Sequence, residues 1–202
     1  MKSNLSKEDK NRILDGIRKK YSQVSVTPKG LFNYPTGREG LNGLGYDPKI
    51  VESIPQPVID SFCGVGNPFS LGPIHEGETI LDIGSGGGFD VIFAAIKAGA
   101  EGNVTGIDVT PGMLERSKKN LKETSIETVV LRQASAENLP FSDNKFDVVI
   151  SNGVFNLIPE KAKALSEVYR VLKSGGRLMM ADQILTGELS KEQKLSVESW
   201  AK

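Results

Sequence analysis

The stretch TILDIGSGGGFDVIFAA, residues 79–95, changes from an apolar strand pattern to an apolar helix pattern across a glycine-rich turn. Asp82 lies two residues before the first glycine of the turn, Gly84. A dinucleotide-binding turn has glycine at its first, third and sixth positions, and the sixth position counted from Gly84 is Phe89. The spacing therefore argues against a nicotinamide dinucleotide site. It leaves two alternatives, a different ligand or close packing of strand and helix alone.

Strand and helix patterns alternate from residue 79 to the end of the sequence. They predict strands at 79–83, 103–108, 127–133, 146–151 and 176–182, and helices at 88–98, 111–122, 160–172 and 190–202. Gly99 and Gly175 suit helix ends, and Pro111 suits a first helical turn. This alternation predicts an α/β fold, a Rossmann-like doubly wound and mostly parallel sheet, with a ligand beyond the carboxyl ends of its strands.

Residues 1–78 have a different character and are predicted to cap a core formed by residues 79–202. Residues 6–24 form an amphipathic helix pattern that starts with a capping box of Ser6 and Asp9. The following segment is rich in glycine and proline, and Asp47-Pro48 and Gln56-Pro57 each suit the start of a short helix. The same segment contains aromatic and leucine residues, which we expect to pack over the core.

Composition narrows the range of functions. Lysine plus arginine number 25 and aspartate plus glutamate number 25, so no basic excess indicates nucleic acid as a partner. No apolar run reaches the roughly 18 residues of a membrane span, and the charged N-terminus lacks the apolar core of a signal peptide. The single cysteine, Cys63, excludes an internal disulfide and a cysteine-based zinc cluster. We expect a cytoplasmic protein without a metal site.

Four segments in combination carry a family resemblance. They are LDIGSGGGFD (81–90), VTGIDVTPGMLERSKKN (104–120), ASAENLPFSDNKFDVVISNGVFNL (134–157) and EVYRVLKSGGRLMMAD (167–182). Over residues 60–186 the sequence resembles the class I S-adenosylmethionine (SAM) methyltransferases. It is most similar to the arsenite methyltransferase group, by GVGNP (64–68), DVTPGMLERS (108–117) and VISNGVFNLIPEKAKAL (149–165), and more distantly to the ubiquinone and menaquinone C-methyltransferases.

The resemblance implies SAM as cofactor, with S-adenosylhomocysteine (SAH) as its product, and it suggests which residues bind the methionine part. The helix N-terminus after the glycine turn can receive the carboxylate of the methionine part. Asp82 is expected to bind its ammonium, directly or through water. The turn residues that approach this part of the cofactor are Gly84, Ser85, Gly86 and Gly88.

The nucleoside part is assigned to the ends of the next strands. Asp108, about twenty residues beyond the turn, can accept both ribose hydroxyls. The alternative for Asp108 is capping of the following helix, but Thr110 suits that role better. We expect Val109 and Met113 on the adenine faces, with core packing as the alternative for Met113, and Ser135, Ala136 and Glu137 on the other side of the adenine. Thr110 is also expected to contact the cofactor, and the donor is expected to meet the acceptor at Ser151 and Asn152.

The acceptor is less defined. The candidates for contact with a small-molecule substrate are Tyr34, Tyr46, Cys63, Asn156 and Asp182, and no catalytic residue is assigned. Arsenite methyltransferases hold trivalent arsenic on several cysteine thiolates, but Gly153 stands at one such position and Cys63 is the single thiol. One thiolate cannot build a multi-thiol arsenic site, and a buried structural cysteine is the favoured alternative for Cys63.

Two functions stay open, methyl transfer to a small molecule and SAM binding without catalysis. A class I methyltransferase sheet has seven strands, whereas five are predicted here, so the C-terminal hairpin is expected to be missing. The fifth strand, with RLMMAD at 177–182, would then leave an apolar edge. We expect that edge to form a homodimer or to lower the solubility of the chain.

Overall fold

The computed structural model describes residues 5–184. The helices are α1 (Lys7–Val24), α2 (Gly37–Leu41), α3 (Pro48–Ser53), α4 (Gln56–Asp60), α5 (Phe89–Ala98), α6 (Pro111–Lys122) and α7 (Lys161–Val171). The strands are β1 (Thr79–Ile83), β2 (Asn103–Asp108), β3 (Val129–Gln133), β4 (Phe146–Asn152) and β5 (Leu172–Ala181). Short 3-10 turns lie at Pro68–Leu71 and Phe155–Leu157. The predicted helix at 190–202 lies outside the described residues.

The five described strands form one sheet in the order β3-β2-β1-β4-β5, and each strand is parallel to its neighbours. The predicted α/β, Rossmann-like architecture is therefore confirmed. Chain order reverses between β1 and β4, so the loops after these strands diverge and open a crevice at their carboxyl ends. Ile83 at the end of β1 lies beside Ile107 of β2 and Ser151 of β4, which brings three loops to the same place.

Both faces of the central strands β1 and β4 are buried, which explains their nearly continuous apolar runs. Along β1, Leu81 and Ile83 pack with Val168 of α7 on one face. Ile80 packs on the other face with Val91 of α5. A helix layer therefore covers each side of the sheet and leaves the strand ends as the place where a ligand can approach backbone.

The boundary between α7 and β5 differs from the prediction. β5 begins at Leu172, directly after α7, instead of at residue 176. Leu172 pairs with Phe146, and the register then shifts so that Arg177 pairs with Val148. A bulge in the strand absorbs the extra residues between these two pairs, so the glycines at 175 and 176 lie inside the strand and not in a connecting turn.

The cap residues pack against α5. The predicted capping box of α1 is confirmed, because the Ser6 hydroxyl accepts the Asp9 amide and the Asp9 carboxylate accepts the Ser6 amide, both at 3.1 Å. The short helices α3 and α4 also lie where they were predicted, whereas α2 was not predicted. An apolar cluster joins the cap to the core, and it includes Leu41, Tyr46, Val58, Phe62, Phe89 and Phe93. Within residues 5–184, no helix has the length and apolar character of a membrane span.

Candidate functional site

A pocket lies at the carboxyl ends of the strands, between the core loops and the cap. Its empty volume is about 810 Å³ including the open mouth. Most of the predicted cofactor residues line it, namely Gly84, Gly86, Asp108, Val109, Thr110, Met113, Ser135, Ala136, Glu137 and Asn152. The structure therefore brings together, in one cavity, residues from four separate loops.

The glycine turn at the start of α5 needs glycine for two separate reasons. Gly84 has φ +74°, a backbone conformation that other residues rarely adopt. A Cβ atom at Gly84 would also lie 2.3 Å from Cγ2 of Val154, which lines the pocket. Gly86 has φ +51°, and its Cβ would lie 3.2 Å from the Met113 methyl group. The turn thus gives a ligand access to backbone at the same point where it packs closely on neighbouring loops.

Asp108 connects the glycine turn to the start of α6. One of its carboxylate oxygens accepts the Gly86 amide at 3.1 Å, and the other accepts the Thr110 amide at 2.8 Å. The prediction that Thr110 caps α6 is wrong for the side chain, which makes no capping hydrogen bond. The Asp108 carboxylate satisfies that amide from two residues upstream. Each carboxylate oxygen still has acceptor capacity for a ligand hydroxyl.

Asp82 lies beneath the turn, next to the pocket wall and not in it. It is 2 % exposed, and its Oδ2 atom has no hydrogen-bond partner among the described residues. Burial raises the pKa of Asp82 well above its ordinary value, and the carboxylates of Asp90 and Asp108 raise it further. The Ser85 hydroxyl is also buried without a partner in the described chain. Because buried polar groups are normally satisfied, these atoms indicate a place for a polar or cationic ligand group.

A buried hydrogen-bond network, which we call the clamp, joins Tyr46, Asp90 and Asn152 to the segment at residues 65 and 66. The Tyr46 hydroxyl donates to Asp90 Oδ1 at 2.7 Å, and Asn152 Nδ2 donates to Asp90 Oδ2 at 3.0 Å. Asn152 Oδ1 accepts the amides of Val65 and Gly66 at 2.8 and 3.2 Å, and its Nδ2 donates to the Gly66 carbonyl at 2.8 Å. One side chain at the end of β4 therefore fixes the loop that carries Cys63.

Asp90 was not predicted as a site residue. Burial raises its pKa above the ordinary value, although hydrogen bonds from Asn152 and Tyr46 oppose this shift. The available signal was its position as the one acid within the otherwise apolar N-terminal half of α5 (FDVIFAAIKA). An acid at such a position requires buried donors, which here come from a distant cap residue and from β4.

Cys63 lines the pocket, whereas Tyr34 does not. The Tyr34 hydroxyl donates to the Cys63 carbonyl at 3.1 Å and so holds the loop from outside. Burial raises the pKa of the Cys63 thiol to about 12, with further contributions from Asp108 and Asp90. The thiol is therefore protonated near neutral pH, which makes it a weak nucleophile and a weak metal ligand.

Several predicted site residues lie outside the pocket wall. The Ser151 hydroxyl donates to the Ile83 carbonyl and joins β4 to β1. Asn156 and Asp182 contact each other, since the Asn156 amide donates to the Asp182 carboxylate at 3.1 Å. Other predicted residues outside the pocket wall are Asp82, Ser85, Gly88, Tyr34 and Tyr46. No group of three or more histidine, cysteine or acidic side chains suited to a metal ion occurs in residues 5–184.

One whole wall of the pocket was not predicted from the sequence. Leu14, Ile17 and Tyr21 of α1 line it from the cap side. Their helical spacing predicted only a buried face for α1 and gave no sign of what that face covers. Further lining residues follow β4, in the segment 153–159.

Comparison with known proteins agrees with this geometry. Residues 74–202 match the methyltransferase domain family. The chain is 38% identical to the arsenite methyltransferase of Halobacterium salinarum over 164 residues, which cover 81% of this chain and 42% of that protein. It is 39% identical to the demethylmenaquinone methyltransferase of Listeria welshimeri over 110 residues, covering 54% of this chain and 46% of that protein.

A comparison with solved structures also finds methyltransferases. The crystal structure of an arsenic(III) S-adenosylmethionine methyltransferase from Chlamydomonas reinhardtii aligns with a TM-score of 0.66 and 34% identity. The alignment covers 73% of this chain and 52% of that one. This chain thus spans about half the length of the relatives it matches, or less. The predicted resemblance is confirmed, and the chain belongs to the methyltransferase domain family.

Proposed function

We propose that this chain binds SAM in the pocket and directs its methyl group to a small-molecule acceptor. The observation that carries the proposal is the junction of Asp108 with the glycine turn, through the bond to the Gly86 amide. This junction puts an acceptor for sugar hydroxyls and the backbone of Gly84 and Gly86 in the same cavity. The proposal assigns Asp108 to the ribose and the strand-end residues Val109, Met113 and Ala136 to the adenine.

The polar groups around the turn fit the rest of the cofactor. Burial raises the pKa of both Asp82 and Asp90, and a positive charge beside them would oppose that shift. An ammonium group near Asp82 would supply that charge and a donor for its unpartnered oxygen. Amides at the N-terminus of α5 can receive a carboxylate. These groups therefore match the amino-acid part of SAM, which carries an ammonium and a carboxylate.

When bound, SAM supplies an electrophilic methyl group on a positively charged sulfur. The chain's own contribution is to orient the ligand, exclude water and keep the acceptor in line with that methyl group. Asn152 contributes by holding the 65–66 loop. No general base is assigned, because the Cys63 thiol is protonated near neutral pH.

Trivalent arsenic is the second candidate acceptor, and the arsenite methyltransferases among the relatives favour it. The pocket itself favours it less. Cys63 is the single cysteine of the sequence. Gly153, which lines the pocket, has φ +72°, and a Cβ there would lie 3.2 Å from Val65. A soft metalloid centre would have to rely on thiols supplied with the substrate.

The test combines binding with turnover. Calorimetry should detect SAM binding to the wild type, and Asp108→Ala should weaken it at least about tenfold, because charge-assisted hydrogen bonds are lost. Asp143→Ala is the matched control, since this acid is 67 % exposed and pairs with Arg170. Unchanged affinity in Asp108→Ala contradicts the proposal.

Turnover is measured as SAH formation with a panel of small acceptors, with arsenite and glutathione as one arm. Activity with an organic acceptor supports the first candidate, and activity with arsenite alone supports the second. SAM binding without SAH formation would instead indicate a binding module that does not catalyse transfer.

We also propose a homodimer through the β5 edge. Among the described strands, β5 has a neighbour on one side only, and Leu178 and Met180 on it are partly buried. An unpaired strand edge can template pairing with a second chain. Sedimentation velocity over a range of concentrations should detect the dimer, and a monomer at every concentration would contradict it.

A further inference from the structure

The cap helix α1 presents one of its faces to the pocket. Leu14, Ile17 and Tyr21 follow a spacing of three and four residues and lie on one side of the helix. Ile17 is 6 % exposed, and Leu14 and Tyr21 are partly buried. A ligand in the pocket would therefore be enclosed between the strand ends and α1.

α1 is anchored at both of its ends. Its C-terminal end packs on α6 at Gly112, where a Cβ atom would lie 2.8 Å from the Ser25 hydroxyl. Near its N-terminal end, Lys10 forms an ion pair with Glu160 at 3.0 Å. The Glu160 amide in turn donates to Glu137, a pocket residue, at 2.9 Å. These contacts hold the inner face of α1 in a defined position over the cavity.

Tyr21 is the one aromatic side chain among the described residues that line the pocket. Its ring centroid lies 6.3 Å from that of Phe32, which lies 5.0 Å from that of Tyr34. Tyr34 is bonded to the Cys63 carbonyl, so this aromatic row leads to the Cys63 side of the pocket. Burial raises the pKa of Tyr21 well above its ordinary value, and the thiol of Cys63 also contributes. Its hydroxyl therefore stays protonated and its ring stays neutral.

We propose that Tyr21 is a binding residue for the sulfonium group of SAM, an inference that rests on the proposed function. Asp108 and the adenine-facing residues account for the nucleoside end. The sulfonium would then lie between Asp108 and the loop that Asn152 holds, in the cavity that Tyr21 and Cys63 both line. The face of an aromatic ring carries negative charge density and attracts a desolvated cation. The ring thus distinguishes the charged donor from its neutral product.

The experiment compares affinities for SAM and SAH by calorimetry. Tyr21→Leu should weaken SAM binding about 5- to 30-fold, the range of a partly or fully desolvated cation–π contact, and SAH binding less than about threefold. Tyr21→Phe keeps the ring and should bind both within about threefold of the wild type. Tyr169→Leu is the matched control, because this tyrosine on α7 is 85 % exposed and should change neither affinity.

The ratio of the two losses separates a contact with the sulfonium from a general packing role. Equal weakening of SAM and SAH in Tyr21→Leu, or no weakening of either, overturns the inference while the proposed function stands. A wild type that binds neither compound overturns both. If thermal unfolding reveals that Tyr21→Leu is not folded, Tyr21→Met fills the space with a flexible apolar chain and takes its place with the same expected ratio.

Discussion

The two walls of the pocket are built in different ways. The strand-end wall consists of Gly84, Gly86 and Asp108, each within a few residues of the end of β1 or β2. The cap wall consists of α1 and the Cys63 loop, and its position depends on contacts between distant parts of the chain. The clamp bond from Asn152 to Tyr46, for example, joins residues 106 positions apart.

This difference implies two modes of failure. The strand-end wall depends on backbone conformation, so a single added carbon can distort it. The cap wall depends on buried side-chain hydrogen bonds, so loss of one hydroxyl can loosen it. Changes in the first wall should therefore act on the fold and the cofactor together, whereas changes in the second should act on the position of the cap.

The largest effect is expected at Gly84. In Gly84→Ala the positive φ and the 2.3 Å approach to Val154 act together, and we expect a loss of about 3 kcal/mol in the free energy of unfolding. Gly175→Ala is the matched control, because Gly175 has φ +79° but no atom within 4 Å of its Cβ. Gly175→Ala should lose about 1 kcal/mol in the free energy of unfolding, which is the cost of the positive φ alone. Urea unfolding measures both variants.

A second variant separates the part of the Gly84→Ala destabilisation that comes from the close contact with Val154. Val154→Ala removes the two γ carbons that approach the new methyl group, so the double variant Gly84→Ala/Val154→Ala should regain part of the loss. If Gly84→Ala and Gly175→Ala are equally destabilised, close packing is not what requires glycine at this turn.

The strand-end wall could be predicted because its signals are local. A glycine turn after an apolar strand and an acid at the end of the next strand have few possible structures, and parallel strands bring these two ends together. The fold followed from the same alternation of strands and helices. The boundary at β5 could not be predicted, because a bulge after Leu172 depends on pairing with Phe146, far away in the sequence.

The cap wall could be predicted only as a cap. Tyr46 was expected near a substrate, yet its hydroxyl is taken by Asp90. Asp90 itself has no neighbouring motif that identifies its partners. From the sequence, Tyr21 is predicted only to belong to the apolar face of α1. Its place at the pocket depends on the packing of α1 on α6. These properties arise from tertiary contacts that a local pattern does not contain.

A second, smaller effect is expected at the clamp. Tyr46→Phe leaves one oxygen of the buried Asp90 without its donor, and we expect a loss of about 2 kcal/mol in the free energy of unfolding. Tyr34→Phe is the matched control, since it removes a hydroxyl that donates to a partly buried carbonyl. It should lose about 1 kcal/mol or less. Chemical denaturation compares the two.

A double-mutant cycle of Tyr46→Phe with Asp90→Asn tests whether the two residues act as a pair. We expect coupling, so that the double variant loses less than the sum of the single variants. Additive losses would mean that Tyr46 stabilises the cap through its ring contacts with Phe89 and Phe93 and not through the clamp.

The smallest effect, of opposite sign, is expected at Asp82, which lies under the strand-end wall. Its pKa in the folded chain is raised above the ordinary value of 3.8, so the folded state holds a proton that the unfolded state has released. Stability is therefore lost as the pH rises from that ordinary value through the folded pKa. Asp82→Asn removes this loss. Above neutral pH, its free energy of unfolding should be about 1 kcal/mol higher than that of the wild type.

The pH dependence identifies the cause of that gain. Between pH 5 and pH 9, the advantage of Asp82→Asn over the wild type should shrink toward acid, where a protonated Asp82 is nearly equivalent to asparagine. Thermal unfolding across this range measures it, and calorimetry on the same variant should find weaker SAM binding, since the ammonium loses its anionic partner. An Asp82→Asn variant that is less stable than the wild type at every pH would mean that a donor in the folded chain already satisfies this carboxylate, and that the acid is structural and not held ready for a ligand.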